Sequence, residues 1–406
     1  MRYADLRMKY AMPNVWKYIP PGPERGRTYD EVRSELVKFG QFKGTMKNEL
    51  SRAICEPINN SETEEEIGTN LDPVLDRLSK SFFCSDNVNQ DLLLKKANKN
   101  TLNKKLQNWC SQLNHNAPLV RKTPGFSIFR DHFKNVPAVV VCAGPSLGNN
   151  IEQLRELKGK ALIMSTDTAF RSLAKRGIDP DFVNAHDANP QGARFFDGID
   201  TKAVGLFVNY VSPLTIRAFR GEKSFYYVGD SSLSVYQTMA LACDSESRSD
   251  GSFLKSHITG GSSVAHTALY ACLAMGCNPV TFVGLDLSYP DLDKSHFETD
   301  NPKNPRAQKL IDVYTVQGKK VKTNLSFYSY KTVLDRMTPY VMMQYNSELF
   351  TSTEDEKGEP TGIVHVGLRP LALRHFAERY ASFSHEKLSN IMEVYKQYGT
   401  SKINQE

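Results

Sequence analysis

Residues 136–147 read VPAVVVCAGPSL, and this stretch decides the fold of the chain. Its first eight residues form a continuous apolar run rich in β-branched side chains, which suits a strand buried on both faces. A glycine and a proline end the run, and Asn149 or Asn150 can cap a helix that continues to about Lys158. A fully buried strand that leads directly into a helix is typical of a parallel sheet covered by helices.

The alternation of strand and helix continues to about residue 290. Further apolar runs predict strands at Ala161–Ser165, Phe182–Ala185, Val204–Val208, Ser224–Val228 and Pro279–Gly284. Helical patterns fall between them at Thr168–Arg176, Pro213–Arg220 and Val264–Met275. The sequence therefore predicts an α/β fold, a Rossmann-like and mostly parallel sheet with helices on both faces.

The flanking segments differ from this central part. The first 135 residues are polar and lysine-rich with helical patterns, which fit either a small helical cap or a basic docking surface. After the sheet, the pattern predicts a hairpin around Val313–Val321, a helix near Tyr328–Met337 and amphipathic helices at about Pro370–Phe383 and His385–Tyr398. We therefore expect a helical, basic N-terminal region (1–135), a nucleotide-binding catalytic domain (136–330) and a small C-terminal helical extension (331–406).

Composition and charge exclude several classes of protein. With 40% hydrophobic and 24% charged residues, the chain of 406 residues is an ordinary globular protein. The net charge of +6 lies entirely in residues 1–136, which carry 22 basic and 16 acidic residues, against 29 and 29 in the remainder. A neutral main body argues against a nucleic-acid channel.

The cysteines and the apolar segments bear on the compartment. Seven widely spaced cysteines without a CxxC pair indicate a reducing compartment, with neither a zinc site nor a disulfide framework. We find no apolar signal sequence at the N-terminus and no apolar run of 18 residues. The sequence therefore predicts a cytoplasmic protein without a membrane span.

Ligands of open α/β sheets bind beyond the carboxyl ends of the strands, and polar residues follow several predicted strands. Gly144, Pro145 and Ser146 suit an anion at a helix N-terminus, or form an ordinary strand–turn–helix junction. Asp167 suits a ribose hydroxyl or a metal-bound phosphate, or serves as a helix cap. Asp286 is a further acid directly after a strand.

Two more clusters carry titratable or flexible groups. His186 and Asp187 lie in the polar stretch NAHDANP, where Asp187 can hold Mg²⁺, orient a sugar or act as a base. An ordinary polar turn also explains this stretch. Gly261, Ser262 and Ser263 precede a helix and suit recognition of a phosphate or a base, while His266 falls inside that helix, where a packed histidine is expected.

The segments in their order resemble one superfamily, which contains archaeal 6-hydroxymethyl-7,8-dihydropterin pyrophosphokinases and bacterial motility-accessory-factor (Maf) glycosyltransferases. The resemblance rests on VVVCAGPSL, ALIMSTDTAF, GIDPDFVNAHD, SVAHTAL and GCNPVTFVGLDLSY, between residues 139 and 289. The AGPSL turn also looks like the nucleotide-binding turn of bacterial sialyltransferases that use CMP-sialic acid. The chain departs from Maf proteins at His186, where they usually carry a small or apolar residue.

The resemblance implies a role for each of these residues. The nucleotide and its donor sugar would contact Gly144, Pro145, Ser146, Asp167, Asp187, Gly261, Ser262, Ser263 and Asp286. His296, in the polar loop after the last of these strands, is similar in position to the histidine base of those sialyltransferases.

The resemblance favours a glycosyltransferase that uses a nucleotide-activated sugar, a CMP-linked nonulosonic acid, to modify a protein or glycan hydroxyl. His296, His186 or Asp187 would supply the base, and no metal would be required. The alternative is pyrophosphoryl transfer from ATP to a pterin alcohol, with Mg²⁺ held by Asp167, Asp187 and Asp286. A non-catalytic nucleotide-binding protein is the third hypothesis.

Overall fold

The computed structural model describes residues 107–229, 257–259, 262–289, 296–298 and 310–403. The helical patterns predicted before residue 107, Gly261 and most of the polar loop after residue 290 lie outside the described residues. Of the predicted N-terminal region, the structure describes a helix over residues 107–122 (α1) and a 3-10 helix at Phe126–Phe129.

The central element is a nine-stranded sheet in which every pair of neighbouring strands is parallel. Its strands are β1 (Ala138–Val141), β2 (Leu162–Thr166), β3 (Phe182–Ala185), β4 (Val204–Val208), β5 (Glu222–Gly229), β6 (His257–Thr259), β7 (Val280–Val283), β10 (Leu349–Thr351) and β11 (Arg369–Pro370). The order across the sheet is β11-β10-β7-β1-β2-β3-β4-β5-β6. A separate antiparallel hairpin joins β8 (Leu310–Tyr314) to β9 (Lys320–Asn324).

Helices accompany the strands along the chain. After α1 they are α2 (Leu147–Asn150), α3 (Leu154–Leu157), α4 (Asp167–Ala174), α5 (Pro213–Ala218), α6 (Val264–Ala274), α7 (Leu325–Tyr345), α8 (Leu373–Tyr380), α9 (Glu386–Ser389) and α10 (Ile391–Ile403). Short 3-10 helices lie at Ile151–Gln153 and Pro190–Phe195. None of the described helices is long and apolar enough to cross a membrane.

Strand β1 shows why the apolar run is continuous. All four of its residues are buried, and successive side chains point to opposite faces of the sheet. Ala138 and Val140 join the apolar cluster that contains α6, whereas Val139 and Val141 join the cluster that contains α3, α4 and α8. Helices therefore cover both faces, and the predicted fold class is confirmed.

The structure also differs from the sequence-based expectations. The single helix expected up to Lys158 is divided into α2, a 3-10 turn and α3. Strands β10 and β11 were not predicted, because runs of three and two residues are too short to show a period. The sheet thus takes two strands from the segment assigned to a C-terminal helical extension. The predicted hairpin is confirmed, and α7 is longer than expected because Asn324 caps it earlier.

The topology locates the place where a ligand is expected. From β1 the chain proceeds through β2 to β6 on one side and then returns to β7 on the other side of β1. The connections after β1 and β7 therefore leave in opposite directions, which opens a crevice at their carboxyl ends. The turns after these two strands carry Gly144–Ser146 and Gly284–Asp286.

Candidate functional site at the carboxyl edge of the sheet

The turns after β1 and β7 contact each other directly. The Gly144 amide donates to the Gly284 carbonyl at 2.8 Å. The backbone amide and the hydroxyl of Ser146 both donate to Asp286 Oδ2, at 3.2 and 2.8 Å. Ser146 and Asp286, which the sequence predicts as ligand contacts, are therefore also partners of one another.

Glycine is required where these turns meet. A Cβ atom on Gly144 would lie 2.0 Å from Asp286 Oδ2 and 2.5 Å from the Gly284 carbonyl oxygen. Gly284 adopts a positive φ of 64°, and a Cβ atom there would lie 2.2 Å from the Cys142 carbonyl oxygen. The sequence pattern of a glycine directly after each strand thus reflects close approach of two backbones.

Asp286 is a buried carboxylate, only 4% exposed. Burial raises its pKa to about 6, while the hydrogen bonds from Ser146 act in the opposite direction. A carboxylate can accept about four hydrogen bonds, so those from Ser146 use only part of its capacity. Asp286 therefore keeps acceptor capacity beyond the bonds from Ser146.

Asp167 follows β2 as the first residue of α4. Its Oδ1 accepts from the backbone amide and the hydroxyl of Thr168, at 2.7 and 3.1 Å. Burial raises its pKa to about 6, and the nearby charge of Asp187 adds to the rise. The structure therefore brings the acids after β2 and β3 within electrostatic range of one another. Asp167 is not the helix cap that the sequence allowed, because Thr166 occupies the N-cap position and Asp167 is the first helical residue.

His186 lies beyond β3 between two tyrosines. Its Nε2 is 2.7 Å from the Tyr210 hydroxyl, and its Nδ1 is 3.4 Å from the Tyr226 hydroxyl. Tyr226 also donates to Asn184 Oδ1 at 2.8 Å, and Asn184 Nδ2 donates to the Thr267 hydroxyl at 2.8 Å. These contacts connect the end of β3 to the first turn of α6.

Asp187, the neighbour of His186, is exposed and shapes the turn. Its Oδ1 accepts from the Asn189 amide at 3.0 Å, and Asn189 in turn accepts from the Gln191 amide at 3.0 Å. These bonds are those of an ordinary polar turn. Burial raises the pKa of Tyr330 on α7, and the charge of Asp187 adds to this rise, so that Asp187 acts on two groups of the edge.

The N-terminus of α6 lies over the end of β3, where Asn184 Nδ2 approaches the Val264 carbonyl at 3.4 Å. Ser262 is exposed and Ser263 is half-buried at this terminus. His266 is 1% exposed, accepts from the Ser263 amide and lies 3.1 Å from the Tyr330 carbonyl. Burial lowers its pKa to about 3, so His266 is a neutral packed histidine, as expected.

His296 lies in the short described segment 296–298. The next residue, Phe297, donates its amide to the Ala143 carbonyl at 2.9 Å, directly before the β1 turn. The His296 ring is 6.1 Å from that of Phe327 on α7. The structure therefore places His296 near the Gly144–Ser146 turn and beside α7.

A buried charged group lies behind the site on α7. Lys331 pairs with Asp335, whose Oδ1 accepts from the Val366 amide at 2.9 Å and lies 3.1 Å from His365 Nδ1. Lys331 and His365 together keep the pKa of Asp335 below its usual value, despite the burial that acts to raise it. Both Asp335 and His365 influence His266 electrostatically, so this group adjoins the N-terminus of α6.

Sequence reasoning missed the tyrosines and the threonine of this edge. Tyr210 follows β4, Tyr226 lies in β5 and Thr267 lies in α6. Only the tertiary fold brings them to His186 and Asn184. An aromatic residue in or after a strand is ordinary core material, so no local pattern marks these positions. Among the described residues, no group of three or more His, Cys, Asp or Glu side chains is placed to hold a metal ion.

Comparison with known proteins agrees with the resemblance seen in the sequence. Residues 111–292, somewhat less than half of the chain, match the family model described as 6-hydroxymethylpterin diphosphokinase MptE-like, which supports the resemblance over that stretch. A matching solved structure is the Maf glycosyltransferase from Magnetospirillum magneticum AMB-1, with 18% identity and a TM-score of 0.47. The match covers 70% of this chain and 42% of that protein. No curated protein matches the chain.

Proposed function

We propose that the protein is a glycosyltransferase that takes a CMP-linked nonulosonic acid as donor and modifies a hydroxyl of a protein or glycan. The observation that carries the proposal is the joining of the β1 turn, the β7 turn and segment 296–298 at the carboxyl edge of the sheet. This is the crevice in which open α/β sheets bind nucleotides. The match of residues 111–292 to the MptE-like family supports it.

In this proposal the nucleotide occupies the edge between β7 and β3. Asp286 accepts the ribose hydroxyls, and the exposed N-terminus of α6, with Ser262 and Ser263, faces the phosphate. Gly144 and Pro145 keep the β1 turn close to the ligand. Asp167 and Asp187 line the side toward the donor sugar. Gly261 belongs to the same proposal from the sequence alone, because it lies outside the described residues.

The transfer breaks the bond between the sugar and the CMP phosphate through an oxocarbenium-like state and forms a bond from that sugar carbon to the acceptor oxygen. The departing phosphate takes the negative charge, which nearby hydrogen-bond donors stabilise. The acceptor hydroxyl loses its proton to a base whose pKa lies near the working pH. None of these steps requires a metal ion.

Three residues are candidates for that base, and we favour His296. Both ring nitrogens of His186 already lie within hydrogen-bond range of tyrosine hydroxyls. Asp187 is exposed and accepts a bond from its own turn. His296 stands next to the β1 turn, beside the expected position of the phosphate. His186 and Asp187 remain the alternatives that substitution distinguishes.

The description of the matched family favours one second candidate, pyrophosphoryl transfer from ATP to a hydroxymethylpterin. That reaction needs charge neutralisation of the phosphates by Mg²⁺. In this candidate Asp167, Asp187 and Asp286 would hold Mg²⁺ together with oxygens of the phosphates. We place this candidate second, because the AGPSL turn resembles that of transferases that use CMP-sialic acid.

The cysteines bear on the compartment of the protein, and the basic N-terminal segment bears on its acceptor. Cys142, Cys272 and Cys277 are buried free thiols, which fit the reducing cytoplasm. Residues 1–110, before the matched stretch, carry 18 basic and 15 acidic residues, and residues 111–136 carry four basic residues and one acidic residue. We propose that this basic segment contacts an acidic acceptor protein or glycan.

Thermal denaturation with CMP, CDP or ATP, each with and without Mg²⁺, tests the proposal. A ligand that binds only the folded state raises the melting temperature, by an amount that corresponds to about 2.7 kcal/mol at 100 times its Kd. We expect stabilisation by CMP without metal. Stabilisation by ATP only in the presence of Mg²⁺ would favour the second candidate, and no response to any nucleotide would reject both.

A further inference from the structure

Segment 296–298 is fixed to the sheet by three different kinds of contact. The first is the hydrogen bond from the Phe297 amide to the Ala143 carbonyl, at 2.9 Å. It joins the segment to the residue that directly precedes Gly144. This bond sets the distance of the backbone from the β1 turn, but it does not by itself fix the direction of the neighbouring His296 side chain.

The second contact is the packing of the Phe297 ring. On one side the ring lies against Gly148 of α2, where an added Cβ atom would come within 2.6 Å of a ring carbon. On the other side the Arg176 guanidinium carbon is 5.1 Å from the ring centroid. An arginine at that distance is attracted by the face of the ring, so Phe297 is held between α2 and Arg176.

The third contact is a bidentate ion pair between Arg176 and Glu298. Arg176 Nη1 and Nη2 donate to Glu298 Oε2 and Oε1, at 2.9 and 2.7 Å. Both side chains are partly buried, 23% and 30% exposed. Arg176 is itself held by Glu152 at 3.3 Å and by the Ser172 carbonyl at 3.1 Å. Such paired, preorganised bonds are stronger and more directional than a single surface contact.

The backbone of the segment shows that these contacts act together. Glu298 has a φ of 52°, in the left-handed region that a glutamate rarely occupies. A residue persists in that conformation where its surroundings compensate for the strain. Here the compensation comes from the ion pair with Arg176, so the short turn after His296 has one preferred shape.

We propose that Arg176, Phe297 and Glu298 are positioning residues that hold His296 at the β1 turn for its role as base. The inference rests on the proposed function, because it assigns a purpose to the position of His296. None of the three residues needs to touch the substrate. Their substitution should act through His296 alone.

Covalent labelling of His296 tests, without any nucleotide, whether Arg176, Phe297 and Glu298 hold this residue in place; these three residues are called the anchor below. Diethyl pyrocarbonate modifies accessible neutral histidines, and the tryptic peptide 295–303 contains no histidine other than His296. We expect the reagent to label His296 about two- to fivefold faster in two variants, a range that corresponds to the energy of a partly exposed ion pair. Arg176→Lys removes the bidentate contact of the guanidinium with Glu298, and Gly148→Ala displaces the Phe297 ring. Arg220→Lys is the matched control, because Arg220 pairs with Asp200 at 2.8 Å elsewhere on the surface.

Equal labelling rates in wild type, Arg176→Lys and Gly148→Ala would show that the anchor does not hold His296 in place. The second readout is hydrolysis of a CMP-linked nonulosonic acid, with water as acceptor. Arg176→Lys should lower kcat and leave the donor KM within about twofold, and it should have no further effect in a His296→Ala background. An equal loss in that background would show that Arg176 acts independently of His296. If wild type neither binds CMP nor hydrolyses the donor, the proposed function fails. The labelling experiment still shows whether the anchor holds His296 in place.

Discussion

The close contact of the β1 and β7 turns can be tested by a single methyl group. In Gly144→Ala the new Cβ atom would lie 2.0 Å from Asp286 Oδ2 and 2.5 Å from the Gly284 carbonyl oxygen. The Gly284 contact is with backbone, so the turns must move apart and the two bonds from Ser146 to Asp286 must lengthen. Overpacking of this kind costs about 1–3 kcal/mol. Weakening hydrogen bonds to a buried charge costs about 1.5–3 kcal/mol.

We therefore expect Gly144→Ala to lower the free energy of unfolding by about 3 kcal/mol, and the melting temperature by roughly 6–12 °C for a domain of this size. Urea denaturation followed by circular dichroism measures the change. Gly159→Ala is the matched control: Gly159 has a φ of 78° and no heavy atom within 4 Å of an added Cβ. It should cost only the left-handed strain, about 1 kcal/mol. A loss at Gly144 no larger than at Gly159 would refute the proposed contact of the two turns.

Three further predictions concern the buried charges and the site. Burial raises the pKa of Asp286 from 3.8 to about 6, so its contribution to stability is fully present below pH 3.8 and is lost as the pH rises through 6. Between pH 4 and pH 7.5, Asp286→Asn should therefore gain about 2 kcal/mol over wild type in urea denaturation, and a constant difference would contradict this. Lys331→Met should lower the free energy of unfolding by about 3 kcal/mol, because it leaves the Asp335 charge buried without its lysine. Adding Asp335→Asn should recover part of this loss. Additive losses in the double variant would refute the pairing. Ser146→Ala should weaken CMP binding in calorimetry without unfolding the protein, because it removes the hydroxyl that holds Asp286 in place. Asp187→Asn, on the side of the donor sugar, should leave CMP affinity unchanged, and unchanged affinity in Ser146→Ala as well would show that the site lies elsewhere.

Much of the fold was predictable, because a buried parallel strand has a strong local signature. The run Val136–Ala143 is apolar throughout since its alternate residues face two different apolar clusters. Strands β10 and β11 have no such signature. They have three and two residues, and β10 is defined mainly by its pairing with β7 on one side and β11 on the other. Their place in the sheet is a property of the tertiary fold.

The candidate site was predictable to a similar degree. Glycines and acids directly after strands mark the carboxyl edge, and the structure joins Ser146 to Asp286 as two such residues. Sequence could not show that the Ser146 donors face a carboxylate of the same chain. It also could not show that Tyr210 contacts His186, because these residues follow different strands.

The most direct measurement of the central claim is a crystal structure of the protein with CMP, grown without metal ions. We predict that CMP lies at the carboxyl ends of β1 and β7, with its ribose at Asp286 and its phosphate near Ser262, Ser263 and His296. A nucleotide bound elsewhere on the protein, or a crystal that takes up ATP with Mg²⁺ but not CMP, would contradict it.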